Sequence, residues 1–182
     1  MVKYTFKPQN TTKTSMARGD DLKVHFKNTL NTAAAIKGMK VVRAQAYLNN
    51  VLKRKECIPF RKHNGGVGRS GQTKGMNCAF GRWPVKSCNF ILKLIKSAVD
   101  NAKAKGLNTN LLVISHICVH QARQTRRRLY RAHGSINTFA SSPSHIEIVL
   151  TEKEKRVTKP KTADTDKKAA PKHFFQPLLK MF

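Results

Sequence analysis

One long stretch, Gln121–Ser144, has too few apolar residues to build a core, yet it lies between two segments that resemble strands. Leu111–His120 is rich in β-branched residues, and His145–Thr151 alternates apolar with polar side chains, as strands do. If these strands pair, the stretch between them leaves the body as one long β-hairpin. From His120 to a midpoint near Arg131 such a hairpin reaches about 35 Å, at about 3.3 Å per residue.

The same stretch is strongly cationic and carries two rings among its charges. Its candidate binding residues are Arg123, Arg126, Arg127, Arg128, Tyr130, Arg131 and His133. A guanidinium group binds phosphate through two hydrogen bonds and stacks on bases, and aromatic rings stack on unpaired nucleotides. The alternative is that the segment is only a charged, solvent-exposed run. Such a run could be built equally well from lysine and would need no aromatic rings. Because an isolated two-stranded ribbon is only marginally stable in water, the sequence predicts that RNA surrounds this hairpin.

The charge of the whole chain supports a polyanionic partner. There are 36 Lys+Arg and 9 Asp+Glu, a formal net charge of +27. No acidic residue lies between Glu56 and Asp100, or between Asp100 and Glu147. A membrane is not the predicted partner, because no apolar run approaches the roughly 20 residues that a span needs. The start, Met1–Phe6, also lacks the apolar region of a signal peptide, so a reducing compartment is expected.

Hydrophobic periodicity predicts three helices. Val41, Ala44, Leu48 and Val51 recur at helical spacing, and a similar stripe begins at Cys88. The expected helices are Thr29–Lys37 with Asn28 as its cap and Gly38 as its end, Lys40–Arg54, and Pro84–Lys105 followed by Gly106. The predicted fold class is α+β, with three helices packed on a small antiparallel sheet, one long protruding β-hairpin, and extended basic N- and C-terminal arms.

The chain is expected to divide into three parts. Residues 1–27 are predicted to be an extended basic arm, and residues 28–152 a globular α+β domain. That domain includes a basic, glycine-rich insertion over 55–83 and the long hairpin over 111–151. Residues 153–182 are predicted to be an extended tail. Its apolar end, Phe174–Phe182, is hypothesised to dock on a neighbouring protein or in an RNA pocket.

Other chemical readings are weaker. A zinc site normally shows cysteines in closely spaced pairs, which this chain lacks at Cys57, Cys78, Cys88 and Cys118, and adding His63 does not supply that spacing. The four cysteines are therefore predicted to be free thiols, two of them buried. Gly66–Gly71 satisfies G-x-G-x-x-G but follows no strand and opens no helix, so neither a dinucleotide nor another cofactor is expected. His116 and His120 share one strand face and are expected to face RNA or to be hydrogen-bonded. With so few acids a nuclease is disfavoured, and a scaffold without catalysis is predicted.

Several motifs in the same order resemble one known family. They are Val24–Thr29, Ala35–Met39, Pro59–Lys62, Asn64–Arg69, Gly81–Pro84, Arg126–Gly134 and Ser142–Glu154. Together they resemble the eukaryotic cytosolic members of the universal large-subunit ribosomal protein family that is numbered twenty-two in bacteria and seventeen in the older eukaryotic naming. The resemblance covers about residues 1–160. The chain departs from the family pattern at Asn137–Ala140, where Asn-Pro-Tyr-Met is usual.

The resemblance implies a role in the large ribosomal subunit. The family's hairpin passes through ribosomal RNA, and its tip helps to form the wall of the peptide exit tunnel. The implied partners are large-subunit ribosomal RNA, neighbouring ribosomal proteins and the nascent peptide near the tip. The implied location is the cytoplasmic ribosome, with assembly in the nucleolus. An RNA-binding regulator that acts off the ribosome is the alternative. Outside the hairpin, the predicted RNA-binding residues are Lys27, Arg61, Lys62, His63, Arg69, Lys74, Arg82, Trp83 and Lys86.

Overall fold

The computed structural model of the chain describes residues 4–153. The predicted docking of Phe174–Phe182 and most of the predicted tail therefore lie outside the described residues. In chain order the strands and helices are β1 (Thr14–Leu22), α1 (Phe26–Ile36), α2 (Val41–Leu52), β2 (Ile58–Pro59), β3 (Gly81–Arg82), α3 (Val85–Ala104), β4 (Leu112–Gln121), β5 (Arg126–Tyr130), β6 (Ile136–Ala140) and β7 (Ser144–Glu152).

A three-stranded antiparallel sheet in the order β1-β7-β4 forms the centre of the body. In the central strand β7, Ile146, Ile148 and Leu150 share one face of the sheet and are fully buried. Ile148 pairs with Ala17 of β1 on one side and with Ile117 of β4 on the other. The helices pack on this apolar face, so the α+β prediction is confirmed.

The third helix, α3, follows its prediction to within one residue at each end. Its stripe of Cys88, Ile91, Ile95 and Ala98 is fully buried, as the periodicity indicated. Gly106, just beyond the end of the helix, has φ +72°, a conformation that glycine adopts without strain. No helix among residues 4–153 combines the length and the hydropathy that a bilayer crossing requires.

The start of α1 differs from the prediction. The helix begins at Phe26, with His25 at the cap position and no side-chain cap, so the expected Asn28 cap is wrong. Asn28 instead lies in the first turn, where its carbonyl accepts a hydrogen bond from the Thr32 hydroxyl. The backbone N–H of Phe26 donates to the carbonyl of Ser142 at 3.1 Å. A tertiary partner therefore satisfies a helix donor that a side chain usually satisfies.

The prediction of an extended arm is wrong for residues 14–22, which form β1 and belong to the sheet. The inward positions of this strand are small: Ser15, Ala17 and Gly19. The Ser15 hydroxyl donates to the carbonyl of Ala98 at 2.6 Å, so α3 lies very close to the strand. A strand with small inward residues lacks the apolar alternation that identifies strands in a sequence.

Residues near the N-terminus cover the other face of the sheet. The backbone N–H of Thr5 donates to a carboxylate oxygen of Glu147 at 2.9 Å, and the ring of Phe6 stacks on His116 at 4.3 Å between centroids. Arg18 places its guanidinium 3.3 Å from the same carboxylate. Burial under this cover, followed by the nearby charge of Lys37, lowers the pKa of His116. Of the two predicted roles, His116 therefore has the hydrogen-bonded one: its half-buried ring lies within hydrogen-bonding distance of the Cys118 thiol and packs under Phe6.

Glu147 is 2 % exposed, and its loss is expected to weaken the body. We expect Glu147→Ala to lower the free energy of unfolding by about 1–3 kcal/mol, because the Thr5 N–H and Arg18 lose a buried acceptor. Urea denaturation measures this change, and faster amide exchange at Thr5 reports release of the N-terminal residues. Asp100→Ala, at an exposed ion pair with Lys103, is the control and should change little. Equal stability of the two variants would contradict the assigned role of Glu147.

The cysteines are free thiols, as predicted. Cys57 and Cys88 are buried, and Cys78 and Cys118 are half-buried. Burial raises the pKa of the Cys88 thiol to about 12, so it stays protonated at neutral pH and acts as an apolar core residue. Within residues 4–153, no group of three or more His, Cys, Asp or Glu side chains is arranged to hold a metal ion.

Candidate nucleic-acid interface

The predicted hairpin forms as a two-part ribbon. The ladder of the main sheet ends at the pair of Gln121 with Ser144, and a second ladder pairs β5 with β6. Between the ladders, the Ala122 N–H donates to the carbonyl of Pro143 at 3.1 Å. The Ser141 N–H donates to the carbonyl of Thr125 at 3.0 Å, and the two side-chain hydroxyls also hydrogen-bond to each other. The two strands therefore stay joined as they leave the body.

The ribbon reverses over residues 131–135, where the sequence placed its midpoint. The Arg131 N–H donates to the carbonyl of Ser135 at 2.8 Å and closes the turn. His133 and Gly134 have φ +57° and +69°, in the left-handed region that tight turns use. Histidine tolerates this region better than most residues do, and glycine enters it freely. The departure from the family pattern at Asn137–Ala140 does not interrupt the ribbon, because β6 spans it.

The register of the ribbon sorts its side chains onto two faces. Residues directly opposite each other share a face, and neighbours along a strand alternate between faces. One face, called here the tyrosine face, carries Arg126, Arg128, Tyr130, Ile136, Thr138 and Ala140. The opposite face, called here the phenylalanine face, carries Arg127, Leu129, Asn137 and Phe139. Each face thus combines at least one guanidinium group with one aromatic ring.

The arginines of the hairpin have no acidic counterpart nearby. Arg123, Arg126, Arg127, Arg128 and Arg131 are exposed. Among the described residues, no side chain or carbonyl forms a hydrogen bond or ion pair with their guanidinium groups. Each guanidinium keeps five N–H donors free. A thin ribbon of like charges repels itself in water, so a phosphate-rich environment is the setting in which it becomes stable.

Large apolar side chains are exposed on the same ribbon. Tyr130 is 72 % exposed, Ile136 56 % and Phe139 58 %. Sequence reasoning identified Tyr130 but missed Ile136 and Phe139, because the side chains of the hairpin's outgoing strand were not assigned to its two faces. Alternation of Ile136, Thr138 and Ala140 with Asn137 and Phe139 was the signal that could have revealed both faces.

The base of the hairpin is anchored to α1. Besides the bond from Phe26 to Ser142, the Ser144 hydroxyl donates to the carbonyl of Val24 at 3.3 Å. Lys27 is exposed here and lines a cleft of about 270 Å³ together with Gln121 and Gln124. The structure therefore places Lys27 at the base of the hairpin, beside Gln121 and Gln124.

The glycine-rich insertion is not irregular throughout, because it contains the short paired strands β2 and β3, and hydrogen bonds hold it to the body. Asn31 of α1 donates its side-chain N–H to the carbonyl of Lys62 at 2.9 Å and accepts the Lys62 N–H at 3.2 Å. The His63 ring meets the Phe26 ring edge-on at 6.5 Å. Lys62 and His63 are exposed, so with Lys27 they extend the cationic surface from the hairpin base onto the insertion.

The remaining predicted residues of this region lie apart from the hairpin. Arg61 and Arg82 donate to the carbonyls of Met76 and Gly66, so each also braces the insertion. Trp83 is half-buried and donates its indole N–H to Gln72 at 3.0 Å. Three further cations are exposed without a described partner near them: Arg69, Lys74 and Lys86. RNA binding by all of these residues stays a prediction.

The chain matches known proteins over most of its length. The model of the family described as "Ribosomal protein L22p/L17e" matches residues 17–151. The chain is similar to "Large ribosomal subunit protein uL22" of Caenorhabditis elegans, at 55% identity over 159 residues, 87% of this chain and 85% of the relative. It is 53% identical over 165 residues to the protein of that name from Dictyostelium discoideum, 91% of this chain and 92% of the relative. It is 52% identical over 176 residues to the protein of that name from Aedes aegypti, which covers 97% of this chain and 95% of the relative.

Proposed function

Because this chain belongs to the ribosomal protein L22p/L17e family, we propose that it binds large-subunit ribosomal RNA and extends its hairpin through that RNA, with the tip in the wall of the peptide exit tunnel. The chain is a structural constituent of the large ribosomal subunit and not an enzyme. It acts on the cytoplasmic ribosome, and we place its incorporation into the subunit in the nucleolus.

The observation that carries the proposal is the exposed ribbon of unpaired arginines. Its guanidinium groups point outward on both faces, so RNA on one side alone leaves part of the charge unmatched. Enclosure by RNA satisfies both faces together. Each phosphate contact also releases condensed counterions, which makes binding favourable and strongly dependent on salt.

The narrowness of the turn supports a place in a tunnel wall. Residues 131–135 complete the reversal with His133 and Gly134, so the tip adds little width to the ribbon. Tyr130 and Ile136, paired across the ribbon next to the turn, present apolar surface beside cationic groups. A passing nascent peptide would meet both kinds of side chain at the tip.

The body has a different part in the proposal. Its anchored insertion and α1 extend the cationic surface around the hairpin base through Lys27, Lys62 and His63. These contacts orient the hairpin before it enters RNA. Several separate contacts engage together, so dissociation from an assembled subunit is slow even though each single contact is weak. Neighbouring ribosomal proteins meet the parts of the body that RNA leaves uncovered.

Sedimentation in salt separates this function from that of a regulator acting off the ribosome. We expect the chain to co-migrate with the large subunit through a high-salt gradient, because its ribbon is enclosed by folded RNA. When the purified chain is bound to protein-free RNA as long as that of the subunit, it should dissociate at the same high salt concentration. Its phosphate contacts are then exposed to solvent, and such contacts weaken steeply as salt rises. Loss of the chain from subunits under conditions that retain other core proteins would favour the regulator.

A further inference from the structure

The exposed apolar side chains of the body and hairpin are unevenly distributed. Within residues 4–153 the large ones are Phe6, Val42, Val85, Tyr130, Ile136 and Phe139. The hairpin is a small part of the chain, yet it holds half of them. Tyr130 and Ile136 form one pair on the tyrosine face, whereas Phe139 lies on the opposite face. The phenylalanine face therefore has an aromatic ring of its own.

The surroundings of Phe139 leave its ring available. It pairs directly across the ribbon with Arg127, and Asn137 lies two residues away on the same face. Among the described residues, no aromatic ring or cationic group lies over the Phe139 ring. The ring is 58 % exposed, which brings no benefit to a free protein. A flat partner that also carries negative charge fits this group of side chains.

We propose that Phe139 is a stacking platform for an unpaired nucleobase, with Arg127 binding the adjoining phosphate and the Asn137 amide facing the edge of the base. The inference rests on the proposed function and deepens it, since it specifies the form of RNA and the face that receives it. Bases in a duplex are covered by their neighbours, so only an unpaired nucleotide offers its flat face to a ring. An acidic peptide could also pair its carboxylates with the arginines, but it offers no flat base joined to its anionic group. The phenylalanine face thus holds RNA through a ring as well as a guanidinium group.

Probing RNA in assembled subunits tests the platform directly. Large subunits are isolated from cells whose only copy of the protein carries Phe139→Leu, which keeps apolar bulk but removes the ring. Base–aromatic stacking is worth a change of about 5- to 150-fold in the ratio of stacked to unstacked base. We therefore expect at least one unpaired nucleotide near the hairpin to gain about fivefold or more in 2′-hydroxyl acylation. Phe139→Tyr, which keeps the ring, should match the wild type.

The outcomes separate this inference from the proposed function. Absence of the wild-type protein from large subunits overturns the proposed function. Presence of the wild-type and leucine proteins with an unchanged acylation pattern overturns the stacking platform alone. Val42→Ala, at an exposed apolar residue on α2, is the matched control and should leave the pattern unchanged.

A measurement on the purified full chain needs no assembly. Phe139→Trp adds a second indole to the single native one, Trp83. We expect a short single-stranded RNA to quench the fluorescence of the added tryptophan much more than an abasic oligonucleotide of equal length does. The abasic oligonucleotide has phosphates but no bases. Equal quenching by the two ligands overturns the proposal, whatever the leucine variant does in cells.

Discussion

Replacing Arg126, Arg127 and Arg128 together with alanine should leave a folded protein that large subunits incorporate poorly. These side chains are exposed on the ribbon and contribute nothing to the core, so the stability of the body should not change. Three phosphate contacts disappear, and the slope of log affinity against log salt should fall in magnitude by about 2–3. The measurements are the fraction of variant in purified subunits and the salt dependence of RNA binding by the purified chain.

The matched control replaces the same arginines with lysine. Lysine keeps the charge but loses the planar, two-point contact with phosphate. The salt slope should therefore recover while incorporation recovers only in part. Normal incorporation and translation with the alanine variant would show that the hairpin is not the part that RNA encloses.

Phe60→Ala should lower the free energy of unfolding by about 3–5 kcal/mol. Among the fully buried side chains of the described residues, that of Phe60 has the largest volume, and it is 1 % exposed. Phe60 lies in the glycine-rich insertion, and its side chain belongs to the hydrophobic core, so it attaches the insertion to the body. Domains of this size are stable by only about 5–15 kcal/mol, so the loss is a large share of the total.

Urea denaturation measures the effect of Phe60→Ala as a lower midpoint with an unchanged slope. Val42→Ala, at a side chain 61 % exposed, should alter stability by less than about 0.5 kcal/mol. A loss below about 1 kcal/mol at Phe60 would mean that the insertion is not held by the core. In the Phe60→Ala variant, incorporation into subunits should fall together with stability. In the triple alanine variant of Arg126, Arg127 and Arg128, incorporation should fall while stability stays unchanged.

Much of the candidate interface could be predicted from local sequence. The arginines, Tyr130 and His133 stand together in the chain, and two strand-like segments flank them, so the hairpin and its turn followed directly. Phe139 and Ile136 were missed because they matter only once β6 pairs with β5. Lys27, Lys62 and His63 were predicted separately, but their closeness to one another depends on Asn31 and Phe26.

The helices and the strands β4 and β7 were determined by the sequence itself, because apolar periodicity and charge are local properties of a chain. The α3 stripe and the alternation of Ile146, Ile148 and Leu150 needed no tertiary information. Strand β1 was decided only by the tertiary structure. A Cβ atom on Gly19 would lie 3.2 Å from a methyl carbon of Leu94, so the contact with α3 requires small residues that carry no hydrophobic signal. Which strand neighbours which, and which segment covers Glu147, depend on contacts between residues far apart in sequence, and no local pattern encodes them.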